Sequence, residues 1–371
     1  MWFVFYCGIT AFIVTFVTMP ILINVLTKKQ LLDVGGRRKI HKGFIPSMGG
    51  IAIFIGFLFA IAAWVPLSQL SGYKFLCAAA VFMFLTGFRD DFMPLSPKGK
   101  LVIQFLAAVI VAWGGGSVGI RLTSLYGFLG IYELPVWISY LVTVFIIIVI
   151  TNAFNLIDGI DGLAGLIGLL AFTLLAGWFL LIGDEQNQSI AFALILVALI
   201  GAILAFLCYN WHPASIFMGD TGSLILGFFL AVGVLKFIQV NGDPNFVSFF
   251  KINPPISMAV AIAIIPLFDT GRIFILRINQ KRSPFSPDKL HIHHLLFRIG
   301  LKHSHVTLVM GALYLLLVGV IYLLSLKLSD NFLIPVIIGV CVCLHFLLKY
   351  IVDLVFDGKR KNNIQDVVHG H

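Results

Sequence analysis

Long apolar runs, broken by short polar segments, recur along almost the whole chain. Crossing a hydrocarbon core takes about 20 mostly apolar residues, because backbone polar groups there must be satisfied inside a helix. Eleven stretches meet or approach that length, near 3–26, 48–70, 73–88, 101–119, 136–153, 163–182, 190–208, 223–240, 256–276, 306–326 and 332–356. The third and fifth are short, which predicts tilt or local thinning of the bilayer. No Lys or Arg precedes the first stretch and no small-residue exit follows it, so it reads as a retained span rather than a cleaved leader. The pattern predicts an all-α, polytopic integral membrane protein of about 11 transmembrane helices, forming a single domain over 1–371 without internal repeats.

Composition points the same way. Of 371 residues, 60% are hydrophobic and 11% charged, against about 25% charged in a typical soluble domain, and the mean hydropathy is +1.04. Such a chain cannot cover a water-soluble globule with polar surface. The five cysteines, Cys7, Cys77, Cys208, Cys341 and Cys343, have no CxxC spacing and read as small buried hydrophobes.

Charge location tests the threading. With eleven spans, twenty of the 25 Lys and Arg fall on one face, including Lys28 to Lys42, Arg89 to Lys100 and Arg272 to Lys302. The positive-inside rule makes that face cytoplasmic, with the N-terminus outside and the C-terminus in the cytosol. The net charge of +9 suits anionic lipid or an anionic substrate; nothing in the pattern calls for nucleic acid. The acids sort likewise, and the clusters that carry chemistry gather in loops near 27–47, 88–100, 151–163, 209–222 and 277–305.

Asp90 and Asp91 close the third span. Adjacent carboxylates repel unless a cation holds them, so they read either as a metal-associated or general-base pair or as a solvated helix end beside Arg89. Lys98 and Lys100 follow within reach of a phosphate. In Asn152–Asn155–Asp158–Asp161 a polar side chain recurs every third residue, placing neighbours on one side of a turn. Ionisable groups at membrane depth are functional by default. Phe217-Met218-Gly219-Asp220-Thr221-Gly222-Ser223 leads into the eighth span; a helix N-terminus welcomes phosphate, and Asp220 with Asn155 would suffice for Mg²⁺, although Asp220 and Ser223 also fit simple N-caps. His291, His293 and His294 could bind zinc, but no cysteine accompanies them, and donation to phosphate oxygens fits the nearby arginines better. Asp269 stands three residues before Arg272, as for an ion pair or a catalytic acid. Lys42 and Ser47 stand at the mouth of the second span, and His303 and His305 read as solvated loop residues.

Taken together, His41-Lys42-Gly43 with Pro46 and Gly49-Gly50, Asp90-Asp91, the Asn152 to Gly162 run, Phe217 to Ser223 and His291 to His294 closely resemble the polyprenyl-phosphate N-acetylhexosamine-1-phosphate transferases. The match runs in order along nearly the whole chain. The Ser-Pro-Phe-Ser-Pro-Asp lead-in and His-Ile-His-His form resemble the branch that uses UDP-N-acetylglucosamine (UDP-GlcNAc); the related peptidoglycan branch tends to carry three consecutive histidines, a run that Ile292 interrupts here. The resemblance implies transfer of GlcNAc-1-phosphate from UDP-GlcNAc to a membrane polyprenyl (undecaprenyl) phosphate, releasing UMP, as the first lipid-linked step of cell-envelope glycan synthesis in a bacterial plasma membrane. Another UDP-HexNAc or UDP-MurNAc-pentapeptide is the alternative donor, and a transporter the rival class. The resemblance further implies Mg²⁺, with Mn²⁺ as an alternative ion, on Asn155 and Asp220, and catalysis by Asp90 and Asp91. Nucleotide-sugar contacts fall on Asn152, Asp158, Asp161, His291, His293 and His294, and phosphate contacts on Lys42, Ser47 and Lys100. A homodimer is one assembly it allows.

Overall fold

The computed structural model describes residues 2–28, 45–114, 119–183, 189–243, 245–281, 291–298 and 300–368. Among the described residues each apolar stretch is built mainly of helix, the second being broken at Val65 and Pro66. The helices are α1 (Trp2–Lys28), α2 (Gly50–Trp64), a short α3 (Leu67–Leu70), α4 (Lys74–Phe92), α5 (Pro97–Trp113), α6 (Val136–Ile157), α7 (Leu163–Ile182), α8 (Ser189–Asn210), α9 (Gly219–Gly242), α10 (Pro255–Ile262), α11 (Ile264–Asn279), α12 (Ile292–Arg298), α13 (His303–Ser325) and α14 (Asp330–Val368). Among the described residues, seven helices are long and apolar enough to cross a membrane, and α10 with α11 makes an eighth if that pair is one span bent by 78°. Three elements of the eleven-span reading fall short by themselves: α2 has 15 residues, α5 has 17, and α4 carries Lys74, Arg89, Asp90 and Asp91. The chain is a multi-pass membrane protein on this count alone. The bend falls at Ala263, just before Pro266, whose missing N–H and fixed φ weaken helix continuity there.

A helix that is apolar all round belongs in the interior, and α9 is the central post. It is buried along nearly its whole length and packs against α6, α4, α2, α7 and α10. The peripheral helices α1 and α14 leave most of their apolar surface outward, as lipid permits. For the same reason the cysteines are not uniformly interior: Cys7 is buried, but Cys208 and Cys343 are exposed.

Close backbone approach fixes the start of α9. A Cβ on Gly50 would lie 2.1 Å from the Gly222 nitrogen, and one on Gly87 would lie 2.5 Å from the Asp220 carbonyl oxygen. The segment before α2 pairs with the segment before α9: Phe217 N donates to Pro46 O, Gly49 N to Phe217 O and Gly50 N to Met218 O, at 2.8–2.9 Å. Ser47, Asp91 and Asp220 are thereby brought to one end of the bundle.

Candidate functional site

Four elements build the site: the ends of α4 and α6 and the beginnings of α5 and α9. α5 starts on Pro97 at N1 with the Ser96 hydroxyl accepting from Gly99 N, which sets Lys100 one turn into the helix. Its Nζ lies 2.6 Å from Asp90 Oδ2 and 2.5 Å from Asp220 Oδ2. Asn155, in the last turn of α6, donates Nδ2 to both Asp220 Oδ1 and Ser223 Oγ at 2.8 Å. Asp220 is therefore held by a cation on one oxygen and an amide on the other, not folded back as a cap for its own helix.

The cap comes from α4. Asp91 Oδ1 accepts from Asp220 N at 2.8 Å, and Oδ2 accepts from Thr221 N at 3.0 Å and Thr221 Oγ1 at 2.5 Å. A carboxylate at a helix N-terminus satisfies orphan amides and meets the positive end of the dipole. The two adjacent acids thus differ: both Asp91 oxygens are engaged with the first turn of α9, whereas buried Asp90 takes Leu95 N on Oδ1 and Lys100 on Oδ2. Gly219 makes this packing feasible. Its φ is +73°, and a Cβ would lie 2.7 Å from Asp91 Oδ2 and 2.8 Å from Ser47 Oγ.

Asp158 follows α6 and joins the same group. Burial pushes its carboxyl up to about 8, with the Asp220 and Asp91 charges adding to the effect. Asp90 and Asp220 therefore meet one lysine directly, with Asp91 and Asp158 close by, in a donor set made of oxygens and an amide. That excess of hard negative charge fits a divalent cation of the Mg²⁺ type, with Asp220 and Asn155 central to the set.

Other expected residues lie elsewhere. Asn152 exchanges amide hydrogen bonds with Gln104, at 2.6 and 3.2 Å, and donates to Ile148 O. Gln104 is one turn beyond Lys100, and Asn152 one turn before Asn155, so this pair holds α5 against α6 just beneath the charged group. Asp161 turns away to His212, whose Nδ1 lies 2.7 Å from its Oδ2, and to His303. His291 Nδ1 lies 2.8 Å from Asp269 Oδ2, while Ile292 N donates to Asp269 Oδ1 at 2.8 Å. Asp269, 2% exposed, anchors the histidine segment onto α11, a partner further along the chain than the Arg272 that spacing brings to mind. Lys42 lies outside the described residues, as do the side chains of His293 and His294.

Sequence reasoning did not find His212 and treated His303 as a solvated loop residue. No short spacing links them to Asp161. Ser223 and Thr221 lay within a segment already singled out, but their hydrogen bonds to Asn155 and Asp91 follow only from the packing.

The pattern of the family described as "Glycosyl transferase family 4" matches residues 73–238, which contain Asp90, Asp91, Lys100, Asn155, Asp158 and Asp220. A "Probable undecaprenyl-phosphate N-acetylglucosaminyl 1-phosphate transferase" of Bacillus subtilis is 34% identical over 323 residues, covering 85% of this chain and 83% of the relative. An "Undecaprenyl-phosphate alpha-N-acetylglucosaminyl 1-phosphate transferase" of Yersinia pestis is 32% identical over 305 residues, 80% and 78% of the two chains. A "Decaprenyl-phosphate N-acetylglucosaminephosphotransferase" of Mycobacterium tuberculosis is 32% identical over 321 residues, 81% and 78%. The chain belongs to this family of polyprenyl-phosphate N-acetylhexosamine-1-phosphate transferases.

Proposed function

We propose that this member of the family transfers GlcNAc-1-phosphate from UDP-GlcNAc to a membrane polyprenyl phosphate, forming polyprenyl diphosphate-GlcNAc and releasing UMP. The observation that carries the reading is the gathering of Asp90, Lys100, Asn155, Asp158 and Asp220 at one end of an apolar bundle. Phosphoryl transfer is governed by positioning and charge neutralisation. Two polyanions must meet, and this is where the fold concentrates charge.

Asn155 and Asp220 would hold Mg²⁺, through the amide oxygen and the carboxylate. When bound, the ion neutralises the diphosphate and draws charge toward the departing UMP. Lys100 contributes a second positive charge to the same space. Asp91 positions Asp220 by capping α9. Asp90, whose Oδ2 faces Lys100 while Oδ1 accepts from Leu95 N, is the acid we assign to keeping the lipid phosphate deprotonated. The second pKa of a phosphate monoester lies near 6, so the demand on that base is small. The lipid phosphate then attacks the sugar-bearing phosphorus in line. Exchange of label between UMP and UDP-GlcNAc with no lipid present would replace this direct route with a covalent aspartyl one.

The proposal includes eleven crossings, a cytoplasmic site and an exterior N-terminus, supported by the basic residues at the site-bearing helix ends. His291, held by Asp269, is the residue of the histidine segment to which we assign a nucleotide-sugar contact. The decisive assay supplies purified protein with UDP-GlcNAc, polyprenyl phosphate and Mg²⁺ and follows UMP. Release that depends on both substrates and the ion is expected; its absence, with transport of either substrate, would overturn the reading. Competition by another UDP-HexNAc or by UDP-MurNAc-pentapeptide sets the donor preference.

A further inference from the structure

Asp161, His212 and His303 are 51 and 91 residues apart in the chain, yet one ligand atom from each lies within 4.8 Å of the others. Three segments converge there: the turn after α6, the loop that leads toward α9 and the first residue of α13. Asp161 is buried and firmly placed, with its carbonyl accepting from Thr307 Oγ1 at 2.8 Å and Oδ2 accepting from Ala214 N at 3.3 Å. The imidazoles of His212 and His303 stack with centroids 5.0 Å apart and planes 17° apart.

We propose that these three side chains form a transition-metal site of the Zn²⁺ class, separate from the carboxylate–amide set around Asp220. Two imidazoles and one carboxylate are the donors of a three-ligand zinc site that keeps a fourth position open. Tetrahedral Zn²⁺ with N and O ligands sets donor atoms about 3.3 Å apart. The ligand atoms stand near that spacing without yet adopting it: Asp161 Oδ2 is 2.7 Å from His212 Nδ1, its other oxygen Oδ1 is 3.7 Å from His303 Nδ1, and one atom from each residue lies within 4.8 Å of the rest. A His–Asp hydrogen bond accounts for His212, but not for His303. His303 Nδ1 is buried with no hydrogen-bond partner among the described residues although it faces the carboxylate, an arrangement that costs free energy unless something satisfies it.

The His291–Asp269 pair makes the contrast. Both Asp269 oxygens are taken, by His291 Nδ1 and Ile292 N, and no third ligand of this kind stands beside them among the described residues. It is a closed hydrogen-bonded anchor. The Asp161 group is open and carries an unsatisfied donor atom. Imidazole also selects Zn²⁺ over Mg²⁺, which prefers the all-oxygen chemistry around Asp220. A bound ion would tie the loop bearing His212, seven residues before Gly219, to the turn after α6. Through His303, whose ring lies 4.5 Å from that of Phe297, it would also tie both to the helix that follows His291.

The test uses the whole detergent-solubilised chain, stripped with a chelator and titrated with Zn²⁺ and, separately, with Co²⁺ as a visible probe. One tight equivalent per chain is expected, with the d–d absorption of low-coordinate Co²⁺ that excess Mg²⁺ does not remove. Losing an outer-shell partner of a metal ligand already weakens binding about 10–100-fold. His303→Ala and His212→Ala are therefore each expected to weaken it by ~100-fold or more, and His305→Ala to leave it unchanged. Zn²⁺ is expected to raise the thermal midpoint of the unsubstituted chain but not of His303→Ala. Absence of a tight equivalent, equal binding by His303→Ala, or displacement by Mg²⁺ would each overturn the proposal. Should His212→Ala fail to fold, His303→Ala decides, because its side chain is 43% exposed. Metal content is read without turnover, so the outcome is independent of the reaction assigned above.

Discussion

Two carboxylates at opposite ends of the bundle do the same mechanical work in different company. Asp91 receives the first amides of α9, and Asp330 receives Ser257 N and Ser257 Oγ in the first turn of α10, at 2.7 and 2.6 Å. Each ties one helix to the start of another. Around Asp91 lie Asp220, Thr221, Ser47 and, more widely, Asp158 and Asp90. Around Asp330 the structure opens a polar cavity of about 1200 Å³ lined by residues such as Asn241, Asp243, Lys251 and Asn331, whose lysine ammonium is already bonded to the Asp243 and Phe246 carbonyls. A buried carboxylate is thus no mark of chemistry by itself. What separates the two ends is the direct meeting of Asp90, Asp220, Lys100 and Asn155 in one small volume.

The sharpest break of this comparison is Asp220→Asn. Removing one charge from the set is expected to lower turnover by ~100-fold or more, on the scale of losing one preorganised electrostatic group, and to raise the Mg²⁺ concentration for half-maximal activity. Unchanged activity across a Mg²⁺ titration would remove Asp220 from the site. Next come the matched substitutions Asp91→Ala and Asp330→Ala. Each leaves helix-start donors unsatisfied and is expected to cost about 1–3 kcal/mol of stability, measured by thermal or denaturant unfolding. Only Asp91→Ala is expected to lower turnover per folded molecule as well; an equal kinetic loss from Asp330→Ala would erase the distinction between the ends.

Gly219→Ala tests the geometry without touching a charge. A left-handed backbone costs a non-glycine residue about 1–2 kcal/mol, and the new methyl group meets Asp91 and Ser47 at under 3.0 Å. The expected result is a fall in turnover larger than the fall in thermal midpoint. The smallest effect is on pH dependence. With its folded pKa near 8 against 3.8, Asp158 binds a proton in the folded chain that the unfolded chain has released. Stability is then highest below the unfolded pKa and declines as pH rises toward 8. Unfolding in chelator at pH 6 and 8 is expected to show that decline, and Asp158→Asn to flatten it. A decline of the same size in Asp158→Asn would assign it to another group.

Much of the architecture was readable as pattern. Among the described residues the apolar stretches are mainly helix, because a long apolar segment in lipid can satisfy its own backbone within a helix. Asn155, Asp158 and Asp220 were singled out from their segments, and the fold brings them together. Other features were not readable. Asp90 and Asp91 are adjacent, so no spacing argument separates them; α4 turns one toward Lys100 and the other toward α9. Asn152 and Asp161 share a three-residue repeat with Asn155 and Asp158, but helix α6 ends at Ile157, and beyond it the turn carries Asp161 toward His212. The repeat therefore describes one stripe only as far as the helix lasts.

By itself the amino-acid order determined the solvent of this protein, its helices and the polar segments that had to lie at helix ends, since these follow from hydropathy and local hydrogen bonding. Which polar groups meet was decided only in three dimensions. The glycine contacts that seat α9 against α2 and α4, and the packing of α7 against α8 and α13 that returns His212 and His303 to Asp161, act between residues tens of positions apart. Charge and metal affinity depend on distances of a few ångströms, and only packing sets those.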